Sequence, residues 1–390
     1  MNLPPVDKLP VIAEPLPDPF VMLDGSRVKT ADDWNRRRAE LKEQFQYYMF
    51  GHFPPTTAKV ASKELSSTHS EALKATAKQI LVTVTADTDR KVVITPEGGA
   101  HGPVTLSIEY HLEVTIPDGK GPFPAVIKGD LNWGKLPEAI LKDAVGRGYV
   151  VVEFNREEVA PDKNDRTRGA FLLFPDCDMS TETAWAWGFH RTVDVLLTMD
   201  CVDKAKIIVT GHSRGGKAAL LAGAFDDRVA LTVPNGSGCG GAGSFRFLGP
   251  KCEDIVAITK NFPYWFCPRF REFIGKIDQL PIDQHELKAL VAPRALLSTD
   301  GLGDIWANPT GTQATYQAAR VVFEWLGAGD KCGLRYREGK HAQNEEDWAA
   351  LLDFADKVLL GKTVDRKFDM PPFPDQPKKF SWSAPSKPEK

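Results

Sequence analysis

The chain of 390 residues predicts an α/β fold: a three-layer sandwich with helices on both faces of a mostly parallel central sheet. Two observations carry this expectation. From Phe123 onward, short apolar runs recur (PAVIKG, YVVVEFN, KIIVTG, VALTVPN, RALLST), each flanked by Gly, Pro or charge, which is the mark of strands buried on both faces. Between several of them lie helical patterns such as AWAWGFHRTVDVLLTM and GKAALLAGAFDD. Strands that alternate with helices pair in parallel through crossovers.

In chain order, residues 1–30 are Pro-rich and irregular, an arm expected to lie on the domain that follows. A helix is predicted in ADDWNRRRAELKEQFQYYMFG, with Asp32 or Asp33 as its cap and Gly51 as its stop. AKQILVTVTA and VTLSIEYHLEVTIP alternate polar and apolar residues and predict half-buried antiparallel strands. Residues 31–361 form one catalytic domain in this reading. The stretch 236–290, rich in Gly, aromatics and charge, is taken as an insertion over the C-terminal edge of the sheet. Residues 362–390 are a Pro- and Lys-rich tail, expected to fray.

Composition narrows the function classes. A formal net charge of −3 points to no nucleic acid and no anionic membrane surface as partner. No run approaches the roughly 18 apolar residues of a membrane span. The start, MNLPPVDKLPVIAEPLPDPF, has neither a basic nor an apolar leader segment. The expectation is a secreted or periplasmic protein in mature form, with a cytoplasmic location left open. The six Cys form no CxxC or CxxH pattern, so neither a zinc site nor a disulfide scaffold is expected. No cofactor or metal is called for, and a monomer is expected. The nine Trp suit a sugar-facing surface and a core equally.

The sharpest local signal is KIIVTGHSRGGKAALLAGAF, in which a strand runs into Gly211-His212-Ser213-Arg214-Gly215 and then a helix. This is G-x-S-x-G in the strand–turn–helix setting of a nucleophile elbow, the signature of the α/β-hydrolase fold. The tight turn lifts the serine hydroxyl above the sheet, and the helix start offers N–H groups to a developing oxyanion. In this fold the triad runs serine, acid, histidine. The loop after RALLST offers Asp300 and Asp304 as the acid, and His341 follows the short strand GLRYRE as the base. His285 precedes both acids and is read as a helix contact. The loop 129–134, after PAVIKG, is the expected source of a second oxyanion donor.

Beyond the elbow, the chain resembles the glucuronoyl esterases, carbohydrate esterase family 15, of bacterial type. The residues that carry the resemblance are GHSRGGKAAL, NGSGCGGAGSFR, CEDI, FPYWFC, LPIDQHELKALVAPR, GDIWANP and GKH, with WNRRRAELKEQFQYYMFGHFPP, GPFPAVIKGDLNWG and AWAWGFHRTVDVL upstream. The resemblance implies a serine esterase that cleaves esters between 4-O-methyl-glucuronic acid on xylan and lignin alcohols. It implies Ser213 as nucleophile, His341 as base and Arg214 as oxyanion stabiliser. Lys217, Glu253 and Trp306 would bind the sugar. Many members carry an acid where this chain has Gly236, so the resemblance passes the acid's role to Asp304. Fungal members place a Cys before the nucleophile, where this chain has His212, so that disulfide cannot form. An acetyl-xylan esterase, a peptidase or a carbohydrate-binding pseudo-enzyme are the rival readings.

Overall fold

The computed structural model describes residues 3–54, 58–86 and 106–386. Among these, nine strands form one sheet in the order β1-β2-β3-β5-β4-β6-β7-β8-β9. The strands are β1 Lys59–Ser70, β2 Ala75–Thr85, β3 Ser107–Pro117, β4 Phe123–Lys128, β5 Val150–Phe154, β6 Val202–His212, β7 Val229–Asn235, β8 Ala295–Gly301 and β9 Cys332–Arg337. From β5 to β9 every neighbouring pair is parallel, whereas β1, β2 and β3 pair antiparallel and join through β3 to β5. The expected parallel sheet and antiparallel pair are both present.

The apolar runs are continuous because both faces are covered. Ala125 and Ile127 of β4 join one core, with Trp185, Phe189, Leu220, Leu221 and Val322 from the helices Thr181–Leu196, Arg214–Phe225 and Pro309–Trp325. Val126, between them, joins the opposite core, with Ile140, Trp348 and Leu351 from the helices Glu138–Gly146 and Glu345–Leu360. Successive side chains of a strand point to opposite faces, so each residue of such a strand meets one helical layer or the other.

Three expectations need correction. The cap of the first helix, Ala31–Phe45, is Thr30: its hydroxyl accepts the Asp33 N–H while the Asp33 carboxylate accepts the Thr30 N–H. The reciprocal pair satisfies two terminal donors at once. That helix continues into a π turn, Gln46–Phe50, and ends at Gly51 with φ +75°. Strand β1 was not foreseen. KVASKELSSTHS has no apolar alternation because it is an exposed edge strand, held by its ladder to β2 rather than by burial. Finally, the tail packs rather than frays as far as residue 386. Phe380 and Trp382 are buried, and the Trp382 indole donates to the Leu16 carbonyl at 2.8 Å. The N-terminal segment lies beneath it, with Phe20 fully buried and the Ile12 N–H donating to the Asp278 carbonyl.

The end of β6 leaves no spare room. A Cβ on Gly211 would collide with the Gly215 carbonyl, and one on Gly215 with the Asp130 carboxylate. Gly211→Ala is therefore expected to destabilise the protein by about 3 kcal/mol or more, read as a lower urea midpoint. The control is Gly146→Ala at a helix end, where a Cβ meets nothing within 4 Å. That change should be neutral or slightly stabilising, because Ala has the higher helix propensity.

Candidate active site

Four parallel strands end at one edge, and the loops after them build the site. After β6, Ser213 takes φ +55° and ψ −122°, a strained conformation for a residue with a side chain. Its N–H donates to the Asn235 carbonyl at 2.9 Å, and its carbonyl accepts the Lys217 N–H at 3.0 Å. The elbow is thereby fixed to the end of β7 on one side and to the next helix on the other. Among the described residues, no backbone hydrogen bond takes the Arg214 N–H, the group that normally faces an oxyanion in this turn.

After β8, the Asp304 carboxylate lies buried behind His341, which follows β9. The His341 Nδ1 and Asp304 Oδ2 are 2.5 Å apart. A neutral imidazole that donates from Nδ1 keeps Nε2 as its basic nitrogen. The competing acid lies elsewhere. Asp300 is 1% exposed and faces the interior near Lys288, and burial first, then the Asp304 charge, pushes its carboxyl up. His285 is fully buried and bonds the Pro17 carbonyl at 2.8 Å, as a structural contact of its helix.

Ser213 and His341 line one cleft of about 220 Å³ with Arg214, Lys217, Glu253 and Trp306. Six of the seven residues expected at the site thus meet there, and the seventh, Asp304, stands directly behind His341. Ser213 makes no side-chain hydrogen bond to His341 among the described residues, a contact that often tightens only with substrate. Two donors of the loop 129–134 are already used. Its Trp133 and Gly134 N–H groups are taken up within its own turn by the Asp130 and Leu131 carbonyls.

Charge in the cleft is tightly fixed. The Arg214 guanidinium donates to Asp162 at 2.5 Å and lies 4.6 Å and 4.9 Å from the ring centres of Trp265 and Phe262. Those two rings stack at 3.7 Å, and the Trp265 indole also donates to Asp162 at 3.0 Å. Lys217 is 4% exposed and donates to the Ser237 carbonyl at 2.5 Å. Burial raises the Glu253 carboxyl, against the Lys217 charge and the Trp306 indole, which pull it down. Sequence reasoning missed Asp162, Phe262, Trp265 and Glu182. The run NFPYWFC carried a family likeness, but no single residue in it stood out. Asp162 and Glu182 lie in stretches with no local motif.

The elbow on a parallel sheet places this chain among the α/β-hydrolases. Comparison with known proteins narrows the class. A family model for fungal glucuronyl esterases matches residues 104–327. The chain is 32% identical to the prokaryotic carbohydrate esterase MZ0003 (organism unknown), over 89% of this chain and 90% of that one. It is 34% identical to 4-O-methyl-glucuronoyl methylesterase 1 of Wolfiporia cocos, over 84% and 76% of the two chains. Among solved structures, a carbohydrate esterase family 15 glucuronoyl esterase from Caldicellulosiruptor kristjansonii superposes with a TM-score of 0.80 at 34% identity, over 95% and 97% of the chains. A glucuronoyl esterase from Sporotrichum thermophile, solved with methyl 4-O-methyl-β-D-glucopyranuronate, gives 0.72 at 26% identity, over 93% of each chain. The chain belongs to the glucuronoyl esterase family, carbohydrate esterase family 15, and is a carboxylic ester hydrolase.

Glu182 supplies a pH test of the site's electrostatics. It is fully buried, and neither carboxylate oxygen has a hydrogen-bond partner among the described residues. Burial lifts its pKa from 4.5 to about 8, although Lys217 and Arg156 pull it down. The unfolded chain releases this proton near pH 4.5, whereas the folded chain holds it to about pH 8. Stability from this group is therefore complete at low pH and is lost as pH rises through that window. Glu182→Gln, which cannot ionise, should gain on the wild type in urea melts between pH 5 and pH 8. A gap that stays constant with pH would contradict the buried neutral acid.

Proposed function

We propose that this enzyme hydrolyses esters joining 4-O-methyl-glucuronic acid of xylan to lignin alcohols, through an acyl-enzyme on Ser213. The observation that carries the reading is the 2.5 Å His341–Asp304 bond, opening onto the same cleft as Ser213, Lys217, Glu253 and Trp306. His341 takes the serine proton through Nε2 as Oγ attacks the ester carbonyl. The resulting imidazolium is supported by Asp304. Arg214 and the backbone N–H groups at the helix start meet the negative charge that forms on the carbonyl oxygen. His341 then gives its proton to the departing alcohol, and water, activated by the same histidine, releases the uronate.

The cleft suits a single uronate ring. At about 220 Å³ it is smaller than the roughly 300–1,000 Å³ typical of drug-sized ligands. Lys217 and Glu253 can meet sugar hydroxyls as donor and acceptor. The half-exposed Trp306 offers an apolar ring to the sugar's C–H face. A polymeric substrate cannot enter a cell, so this reading places the enzyme outside the cytoplasm, acting as a monomer. No helix among the described residues is long and apolar enough to cross a membrane.

The decisive experiment compares benzyl glucuronate with p-nitrophenyl acetate. The wild type should turn over the glucuronate ester, and Ser213→Ala should lose on the order of 10³-fold or more. Trp306→Ala and Lys217→Ala should weaken glucuronate turnover, chiefly in KM, and spare the acetate, which has no sugar to bind. Equal losses on both esters would reject the sugar-binding assignment.

The acid assignment has its own test. Asp304→Asn should lower kcat by roughly 10²–10⁴-fold, because an amide cannot support the imidazolium. Asp300→Asn should do far less, since burial already favours the uncharged form at that position. A reversed order of effects would make Asp300 the orienting acid.

A further inference from the structure

We propose that Trp133 is the platform for the alcohol half of the ester and gives this enzyme a preference for leaving alcohols that carry an aromatic ring. The inference rests on the glucuronoyl ester reading above. Trp133 is 50% exposed, although it sits over buried charge. Its inner face covers the Arg156 guanidinium at 4.3 Å, and Trp185 covers the same guanidinium from 4.9 Å. Arg156 is fully buried and bonds Asp130, the Gly129 carbonyl and the Asn132 side chain. Half of the side chain remains open to solvent.

Its position gives that surface a use. Trp133 flanks the elbow, meeting the neighbours of Ser213 on both sides. It is edge-on to His212 at 6.1 Å between ring centres and 5.9 Å from the Arg214 guanidinium. His212 in turn packs 4.3 Å from His341. His341, His212 and Trp133 thus pack in succession along one flank of the elbow. The sugar-binding residues Lys217, Glu253 and Trp306 line the cleft, and Trp133 is not among its lining residues. To be protonated, the leaving oxygen must come within hydrogen-bond reach of His341. The acyl half fills the cleft, so the alcohol must leave along this flank, and Trp133 is the exposed apolar surface along that path. An arylalkyl alcohol can stack on it or meet it edge-on, whereas methanol cannot reach it.

The test uses methyl, benzyl and cyclohexylmethyl glucuronate with the wild type, Trp133→Leu and Trp133→Phe. Leucine keeps an apolar cover over Arg156 but removes the aromatic face. For Trp133→Leu, kcat/KM on the benzyl ester should fall by roughly three- to tenfold while that on the methyl ester stays within about twofold. Trp133→Phe should keep most of the benzyl preference. On the wild type alone, the cyclohexylmethyl ester, similar in size but with no π face, should show a higher KM than the benzyl ester. This arm stands even if the leucine variant folds poorly. An unchanged benzyl-to-methyl ratio, equal losses on both esters, or equal KM values for benzyl and cyclohexylmethyl would overturn the assignment. If the wild type cleaves methyl and benzyl glucuronate and these ratios do not move, only the role of Trp133 fails. If it cleaves neither, the glucuronoyl ester reading fails and takes this inference with it.

Discussion

The Asp130 carboxylate, 2% exposed at the end of β4, is the interaction on which the site depends. One oxygen accepts the His212 N–H at 2.8 Å, and the other accepts Arg156 at 2.6 Å. Lys128 bonds the same group. Burial raises the carboxyl, but Lys128 and Arg156 outweigh it and leave the group below its ordinary value. Three elements therefore meet at one ion: the central strand, the strained turn that holds the nucleophile, and the arginine beneath the loop 129–134. Breaking a buried pair of this kind by removing one partner typically costs about 3–5 kcal/mol, because the other charge is left without compensation. This network explains why the second elbow glycine has no room for a side chain. Gly215 packs so closely on Asp130 that any side chain would displace the ion that fixes the turn.

The cleft follows the same logic in a second place. Arg214 lines the cleft and is fixed by Asp162 and by the stacked pair of Phe262 and Trp265. A guanidinium held by a carboxylate and packed beside a stacked aromatic pair loses little freedom when an anion forms near it, because it is already oriented. Lys217 is likewise tied to a carbonyl, that of Ser237. Both cations are placed before substrate arrives. Fixed dipoles and charges stabilise a transition state better than mobile ones because they need no reorganisation as it forms. Two of the half-exposed groups around the cleft, Trp133 and Trp306, are large flat rings rather than charges. This division fits electrostatics assigned to the reacting centre and apolar contact assigned to the rim.

Much of this was legible in the sequence, for identifiable reasons. A strand buried on both faces must be apolar throughout, so PAVIKG, YVVVEFN and KIIVTG announce themselves. The elbow is legible because its turn demands small residues at fixed spacing around Ser213. Other features depend on partners far away in the chain. Strand β1 is polar because it is an exposed edge strand held mainly by its ladder to β2. Asp162 meets Trp265 across about a hundred residues, and neither residue type signals the pairing. The Pro- and Lys-rich tail looked unstructured, yet Trp382 finds the Leu16 carbonyl in an equally irregular N-terminal segment. Two stretches with no periodic pattern order each other through contacts that no local reading contains.

The choice between Asp300 and Asp304 shows where geometry takes over from sequence. The two residues are four positions apart, but one lies within β8 and the other in the turn beyond it. The strand residue is drawn into the interior beside Lys288, so burial works against its ionisation. The turn residue reaches out to His341. At the end of β7, a Cβ on Gly236 would lie 3.1 Å from the His212 ring and 3.5 Å from Asp304 Oδ2. The His212 ring occupies that space and bonds Asn235 at 2.7 Å. Burial, and then the nearby His341 charge, lower its pKa to about 4, so it packs against His341 as a neutral ring. A second carboxylate beside Asp304 would bring like charges together and raise at least one pKa. With glycine at 236 and a neutral histidine at 212, the imidazole of His341 meets one carboxylate among the described residues, that of Asp304, and packs against the His212 ring on another side.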